Sequence, residues 1–225
     1  MQHPEAECPP WDYDKLPSRQ KILAEQANGV IEDVRAGRFD LLAMLADSRS
    51  VHDRLFSKLA PKGREYLAGH YRGERFKCLQ FYRVGIRSNP MVGVEPRLVR
   101  TELSKFQQLA ESAISRIDSI HKMRESDLPG EQKLLLTVQV GCRLFAEFLR
   151  IHPYADGNGH VGRVMLLAIL ARYRYFPVRF PLEPRPADPS YSESIKAYQQ
   201  GRRQPLEELV LRCVKDGRTK FPLHS

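Results

Sequence analysis

The sequence predicts an all-α fold, and three observations support that prediction. Apolar residues recur at helical spacing over most of the 225 residues. Strand-like alternation of apolar and polar residues is confined to one short region. Two long segments are apolar on nearly every face, as in helices that lie in the middle of a domain.

Four helical segments are predicted in the N-terminal third of the chain. The first runs from about residue 18 to residue 36 with one apolar stripe, and Gly37 ends it. Shorter segments follow at residues 41–46, 51–59 and 64–70.

A small β-hairpin interrupts the helices in the middle of the chain. Residues 79–99 alternate in polarity and contain β-branched residues punctuated by Pro and Gly, which is the pattern of a hairpin. A helix over residues 101–121 follows. Two buried helices are then predicted, from Glu131 to Ile151 and from near Gly159 to Leu170.

Composition and processing signals indicate a soluble protein of the cytoplasm. The longest purely apolar run, residues 164–171, is far shorter than the roughly 20 residues that a membrane span needs. The N-terminus has neither a basic start nor an apolar stretch, so no secretory signal is expected, and export into another cell is left open. The four cysteines, Cys8, Cys78, Cys142 and Cys213, are scattered without metal-ligand spacing. We therefore expect reduced thiols rather than a zinc site or a disulfide framework.

The net charge of +9 is concentrated in one part of the chain. Residues 51–100 hold the basic excess and interleave aromatic residues with arginine and lysine, which is the composition of a nucleic-acid surface. No helix-turn-helix, zinc-finger or RNP signature accompanies the charge. We therefore favour a solvated face whose cations pair with the acidic first fifty residues, and we do not expect nucleic acid as a partner.

The loop between the two buried helices is rich in functional side chains. It reads His152-Pro153-Tyr154-Ala155-Asp156-Gly157-Asn158-Gly159-His160-Val161-Gly162-Arg163. Any polar sequence would serve a solvent-exposed connection, yet this one carries two His, an Asp, an Asn and an Arg. It is the candidate functional site.

The glycines and the acid of this loop predict a magnesium polyphosphate site. Gly157, Asn158 and Gly159 lie where a helix begins, so unpaired amide N–H groups and the positive end of the helix dipole favour phosphate there. Asp156 is a hard oxygen ligand. Mg²⁺ commonly reaches proteins through one or two carboxylates and the phosphates themselves.

The basic side chains complete the pattern of a transferase. Arg163 lies one helical turn beyond Gly159 and can reach a phosphate tail. His152 ends the preceding helix and is the candidate general base. Singly, each residue has a structural explanation as a cap, a turn residue or a surface charge. Their combination in one short loop predicts phosphoryl or nucleotidyl transfer.

The loop resembles the motif of the Fic family, H-P-F-x-[D/E]-G-N-G-R-x-x-R, whose members move a nucleotide monophosphate, usually AMP from ATP, onto a protein hydroxyl. The likeness extends to the apolar helices on both sides, to residues 82–99, which resemble the family's substrate-aligning flap, and to residues 191–206. It covers residues 70–216 and implies a helical extension over residues 1–69 and a catalytic domain over residues 70–225.

By position, the resemblance assigns a role to each motif residue. His152 is the base that deprotonates a Ser, Thr or Tyr hydroxyl, and Asp156 is the Mg²⁺ ligand. Residues 157–159 hold the α-phosphate, and Arg163 holds the terminal phosphate. ATP or another nucleoside triphosphate is the implied co-substrate, and the implied partner is a target protein.

Further residues are implied around the nucleotide. Tyr191 and Gln199 would line the adenine pocket. Tyr154 stands where the family has Phe and is expected to pack. His160 replaces the first arginine of the motif but still faces the nucleotide phosphates. The helix dipole lowers the pKa of a histidine in a first turn, so His160 offers one neutral donor in place of a forked cation.

The loss of that arginine predicts weaker use of ATP. A charge-assisted bond to phosphate contributes about 1.5 to 3 kcal/mol, so ATP affinity or rate falls by roughly one to two decades, or the donor is a different nucleotide or phosphate ester.

Many Fic proteins also carry an inhibitory helix, [S/T]-x-x-x-E-[G/N], whose glutamate pairs with the second arginine. No glutamate of the N-terminal extension fits, and Glu25 comes nearest. Inhibition is therefore absent, supplied by a separate antitoxin-like partner, or supplied by the 18–36 helix through a divergent residue such as Glu25.

Two other classes of function stay open. In a non-catalytic nucleotide- or nucleic-acid-binding module, His160 would mark decay of the active site and the basic 51–100 region would bind. A metal hydrolase would use His152, Asp156 and His160. Pro153 and the glycines interrupt the helix that such a ligand spacing would need.

Overall fold

The described residues form a helical protein. The structure, a computed structural model, describes residues 11, 13–84, 92–177, 182–183, 186 and 190–218. Within them the chain forms no strand, and its α-helices are α1 Arg19–Arg35, α2 Leu41–Ala46, α3 Arg49–Phe56, α4 Val99–Lys122, α5 Gly130–Ile151, α6 Asn158–Arg172, α7 Ser190–Gln199 and α8 Gln204–Arg218. The all-α prediction is confirmed.

The N-terminal helices follow the predicted segments closely. α1 and α2 match the predictions over 18–36 and 41–46, and the Asp40 side chain caps α2 by accepting the Ala43 N–H at 3.0 Å. The predicted helix over 51–59 divides into α3 and one 3-10 turn, Ser57–Leu59. The segment predicted over 64–70 is shorter than expected, a single 3-10 turn at Glu65–Leu67.

α5 and α6 form the centre of the molecule. Both are buried on most faces, as their sequences predicted. They approach closely because glycine lies at the contact: a Cβ at Gly162 would come within 2.8 Å of the Phe145 ring, and one at Gly141 within 2.7 Å of Leu166. α4, α7 and α8 pack against α5, while α1 and α2 pack against α6.

The N-terminal extension shares the core of the rest of the chain. Trp11, Leu55 and Phe56 belong to the same buried cluster as Phe145 and Val164. The division at residue 70 stays a prediction. The shared core means that the extension packs directly on the central helices.

The hairpin predicted over residues 79–99 is not seen in the described part of that stretch. Its flanks, residues 82–84 and 92–95, contain no strand and are bounded by 3-10 turns at Leu79–Phe81 and Pro96–Leu98. Residues 85–91 lie outside the described residues, so a hairpin there stays a prediction.

The cysteines correct one expectation. Cys142 and Cys213 are free and buried, but Cys78 is disulfide-bonded. Spacing along the chain gave no sign of that bond, because cysteines that pair need not be close in sequence.

Among the described helices, none has the length and apolar character that crossing a bilayer requires.

Candidate active site

The candidate loop connects the C-terminus of α5 to the N-terminus of α6. His152 leaves α5 with φ 54° and ψ 61°, the left-handed conformation that often closes a helix but is uncommon for a residue with a Cβ. Gly157 is also left-handed, at φ 77°, immediately before α6. These two turns reverse the chain between the buried helices.

His152 is a neutral imidazole in a defined tautomer. Its Nδ1 lies 3.0 Å from the Leu149 carbonyl oxygen, which can only accept, so Nδ1 carries the hydrogen and Nε2 has a free lone pair. Burial lowers the pKa of His152 to about 4, against the effect of the Leu149 bond, and the Arg72 charge lowers it further. At neutral pH the side chain is thus ready to accept a proton at Nε2.

The Asn158 side chain holds the loop together. Its Oδ1 accepts the Tyr154 N–H at 2.9 Å, and its Nδ2 donates to the Tyr154 carbonyl at 3.0 Å. Both ends of the amide are therefore used within the loop. What Asn158 offers to a ligand is its backbone N–H.

The start of α6 presents open amide groups. In the described part of the chain, the N–H groups of Asn158 and Gly159 have no acceptor, whereas those of His160 and Val161 donate to the Gly157 carbonyl. Two open N–H groups at the positive end of a fifteen-residue helix form an anion site.

Asp156 and Arg163 flank this helix start. The Asp156 Oδ1 accepts the Gly157 N–H at 2.7 Å. A Cβ at Gly159 would meet the Arg163 Nη1 at 3.3 Å, so the guanidinium lies over the first turn of α6, as the spacing predicted. Arg163 is only 2% exposed.

The carboxylate fits a magnesium ion that is shared with phosphate. Asp156 is partly exposed beside the open amides, and no cluster of three His, Cys, Asp or Glu side chains with metal-ligand geometry occurs in the parts of the chain described above. One carboxylate plus phosphate oxygens is a usual way to bind Mg²⁺. The three ligands of the hydrolase alternative, His152, Asp156 and His160, do not converge.

His160 forms a pair that the sequence did not indicate. Its Nε2 lies 2.7 Å from the Glu183 carboxylate, and both side chains are mostly buried. Burial lowers the pKa of His160, the expected direction although the cause differs from the expected helix dipole. The bond from His160 in turn lowers the pKa of Glu183. A neutral imidazole thus donates to a charged carboxylate at the first turn of α6.

The residue before Glu183 in the chain, Leu182, contacts Arg163. The Arg163 Nε and Nη2 donate to the Leu182 carbonyl at 3.1 and 2.7 Å.

Glu25 is exposed on α1, so its predicted inhibitory role stays a prediction. The acid that contacts the first turn of α6 in the described residues is Glu183, through His160.

An aromatic layer from the extension supports the loop. His52 stacks on Tyr154 with ring centroids 3.8 Å apart. Its Nδ1 accepts the Gly69 N–H at 2.9 Å, so its Nε2 carries the hydrogen and donates to the Asp156 carbonyl at 3.0 Å. Phe56 fills the space beside Gly157. The sequence did not predict these contacts to the loop, because the residue pattern of α3 is that of an ordinary short amphipathic helix.

Tyr154 is buried, as predicted for a packing residue, but its hydroxyl has a specific partner. The Tyr154 Oη lies 2.7 Å from the Ser48 Oγ. Ser48 also contacts the Tyr71 hydroxyl, which donates to the Asp47 carboxylate at 3.0 Å. Ser48 therefore accommodates the hydroxyl that a phenylalanine would lack.

The predicted adenine residues lie on one helix. Tyr191 and Gln199 are eight residues apart on α7, about two turns, and so share a face. Tyr191 is buried with its ring 6.5 Å from Phe145, whose ring packs on Gly162 of α6. α7 is thus linked through Phe145 to the helix that carries Arg163.

The basic region is divided between ion pairs and a groove. Arg54 pairs with Asp33, an acid of the first fifty residues, at 2.7 Å, as the preferred interpretation predicted. Three further arginines, Arg75, Arg97 and Arg100, border an open groove of about 820 Å³.

Comparison with known proteins places this geometry in a family. The model of the Fic/DOC family matches residues 43–170. Among solved structures, the chain is similar to BepC, a VirB-translocated effector protein of Bartonella tribocorum crystallised with AMPPNP. The two share 15% sequence identity with a TM-score of 0.58, over 86% of each chain. No curated protein sequence matches this one.

Proposed function

Because the chain belongs to the Fic/DOC family, we propose that it transfers AMP, or another nucleoside monophosphate, from a nucleoside triphosphate to a Ser, Thr or Tyr hydroxyl of a target protein. One observation carries the proposal. The His152 Nε2 is free to accept a proton in the same loop that leaves the Asn158 and Gly159 N–H groups without an acceptor.

The reaction follows from these groups. The target hydroxyl gives its proton to the Nε2 of His152 while its oxygen bonds to the α-phosphorus, and the bond from that phosphorus to the bridging oxygen breaks. Pyrophosphate leaves with the electron pair. The open amides at the start of α6 donate to phosphate oxygens as charge develops on them.

The low pKa of His152 suits this role once a nucleotide is bound. Burial alone makes the imidazole a weak base. The negative charge of a polyphosphate beside it favours the protonated form, which raises the pKa towards the working pH.

Mg²⁺ would be held by Asp156 together with the phosphates, and it would neutralise charge on the polyphosphate. ATP or another nucleoside triphosphate is the proposed co-substrate. BepC, which was crystallised with the ATP analogue AMPPNP, supports a nucleotide of this type.

We expect a target protein that carries the modified hydroxyl as partner, while an antitoxin-like inhibitor is one of the three alternatives for control of the activity. The cytoplasm is the proposed place of action, either of the cell that makes the protein or of a recipient cell. BepC, itself a translocated effector, supports the second setting.

A labelling assay tests the function. Purified protein is incubated with Mg²⁺, a bacterial lysate and each of the four α-labelled nucleoside triphosphates in turn. We expect one nucleotide to label the protein itself or a lysate band, and His152→Ala to abolish that labelling while it still binds the nucleotide. Absence of label with all four nucleotides, together with nucleotide binding that His152→Ala leaves unchanged, would instead indicate the non-catalytic binding module.

A further inference from the structure

Arg72 is a fully buried arginine beside the candidate site, only 1% exposed. Its guanidinium donates to four backbone carbonyls. Nε reaches His152 at 2.8 Å, Nη1 reaches Tyr82 at 3.1 Å, and Nη2 reaches Val94 and Ile151 at 3.0 and 3.1 Å. Bonds from a charged donor are the strong ones, so one side chain fixes four points of the backbone relative to one another.

Two of these carbonyls belong to chain segments that are distant in sequence but adjacent in space. Tyr82 lies in residues 82–84 and Val94 in residues 92–95. The two segments run in direct contact, because a Cβ at Gly93 would lie 2.5 Å from the carbonyl oxygen of Val84. Arg72 bonds to both segments and so sets their spacing.

The other two carbonyls belong to the end of α5. Ile151 is its last residue, and His152 follows in the left-handed conformation. The backbone N–H of Arg72 also donates to the Pro153 carbonyl, at 2.8 Å. The strained turn that carries the imidazole is thus held at three successive residues from a single position.

Burying a guanidinium carries a large desolvation cost. Burial lowers the pKa of Arg72 to about 10, so the group is charged at pH 7. Packing alone would be served as well by an apolar side chain of similar volume. Only the planar fork of an arginine reaches four carbonyls on separate segments. The arrangement therefore points to a positioning role.

We propose that Arg72 is a positioning residue of the transfer reaction. Its guanidinium locks residues 82–84 and 92–95 to the end of α5, and so fixes the turn that places the His152 imidazole for proton transfer. The inference rests on the proposed function, since it assigns Arg72 a part in the same reaction.

The test uses two variants and a matched control. Arg72→Lys keeps the charge but loses the fork, and Arg72→Ala leaves a cavity that guanidinium ion fits. Arg75→Lys, at an exposed arginine three residues away, is the control. Hydrogen exchange measures the protection of the Gly93 and Val94 amides, which donate to carbonyls of α5 at 2.9 and 3.3 Å.

Three readouts are expected from Arg72→Lys. Exchange at Gly93 and Val94 becomes faster while α6 stays protected. Affinity for Mg-AMPPNP is unchanged, because the amides of α6 are untouched. Labelling with the active nucleotide is slower by about 100-fold, the usual effect of a displacement near 1 Å at a reacting group. Millimolar guanidinium ion restores labelling to Arg72→Ala, whereas methylammonium does not. Arg75→Lys resembles the unmodified protein.

Other results overturn the proposal. Labelling by Arg72→Lys at the unmodified rate would do so, as would unchanged protection of Gly93 and Val94. A loss of nucleotide affinity in parallel with labelling would show a merely structural role. If the unmodified protein labels nothing, the proposed function fails separately. Hydrogen exchange at Gly93 and Val94 then still tests whether Arg72 holds residues 92–95 against the end of α5.

Discussion

At the scale of single residues, His160 and Glu183 form a buried pair in the first turn of α6. An imidazole that is neutral because it is buried donates to a carboxylate, and in the proposed function a polyphosphate would bring its own negative charge to this end of the helix. Nucleotide binding must therefore either break this pair or accept a like charge beside the phosphates. Both alternatives cost affinity for a highly charged donor.

His160→Arg should strengthen the use of ATP. A guanidinium stays charged, can satisfy Glu183 and still donates to phosphate, so we expect tighter binding of Mg-ATP by about 10- to 100-fold. Titration calorimetry measures the affinity. Glu183→Gln removes the carboxylate without changing its size, and it should also tighten binding. Unchanged affinity in both variants would mean that this pair does not face the nucleotide.

Ser48 and Tyr154 form a second residue-scale test. Ser48→Ala leaves the buried Tyr154 hydroxyl without its 2.7 Å partner, which should cost about 1 to 3 kcal/mol of the free energy of unfolding. The double variant with Tyr154→Phe removes both groups and should recover most of that loss. Urea denaturation of the two single variants and the double variant measures the coupling. Additive losses would show that the hydroxyls do not depend on each other.

At the scale of elements, α3 packs directly against the candidate loop. Phe56 and His52 lie against Gly157, where φ is 77°. The loop conformation thus depends on a helix about a hundred residues away in sequence. This dependence explains why an α5–α6 connection rich in glycine holds one shape.

Gly157→Ala tests that packing. A Cβ would lie 2.4 Å from the Phe56 ring, so we expect overpacking of about 1 to 3 kcal/mol in addition to the cost of positive φ. Gly37→Ala is the matched control, because φ is 70° there and nothing lies within 4 Å. Thermal unfolding should show a clearly larger loss for Gly157→Ala. Equal losses in the two variants would contradict the tight contact with α3.

The elements were predictable from sequence to different degrees. α5 and α6 followed from their apolar faces, and α1 and α2 from periodicity. The single 3-10 turn at Glu65–Leu67 did not, because a short segment between Gly63 and Gly69 takes its form from its surroundings. The loop motif indicated His152 and Arg163, since their spacing is local. Glu183 and Arg72 reach the site only through folding, and no local pattern distinguishes them from surface charges.

At the scale of the whole molecule, buried neutral histidines link stability to pH. Burial lowers the pKa of His52 to about 3 and that of His152 to about 4, and burial also lowers the pKa values of His121 and His160. Below about pH 6.5 the unfolded chain binds protons that the folded chain does not. The free energy of unfolding must therefore fall as the pH falls.

The predicted loss begins near pH 6.5 and continues to about pH 4 for His152 and about pH 3 for His52. Each histidine that stays neutral contributes a slope of about 1.4 kcal/mol per pH unit in this window. Urea denaturation at pH 7, 6 and 5 measures it. In His52→Gln, the amide can replace both hydrogen bonds of the ring. The slope of the unfolding free energy against pH should then be smaller by about 1.4 kcal/mol per pH unit, the contribution of one proton. Stability that is constant or rises on acidification would contradict the neutral buried state of these histidines.

The central claim is that the 152–163 loop binds a magnesium nucleotide at the start of α6. A crystal structure with Mg-AMPPNP tests it most directly. We expect phosphate oxygens within hydrogen-bond distance of the Asn158 and Gly159 N–H groups, the ion on Asp156, and the His152 Nε2 directed at the α-phosphorus. A nucleotide bound elsewhere on the protein, or none at saturating concentration, would contradict the account.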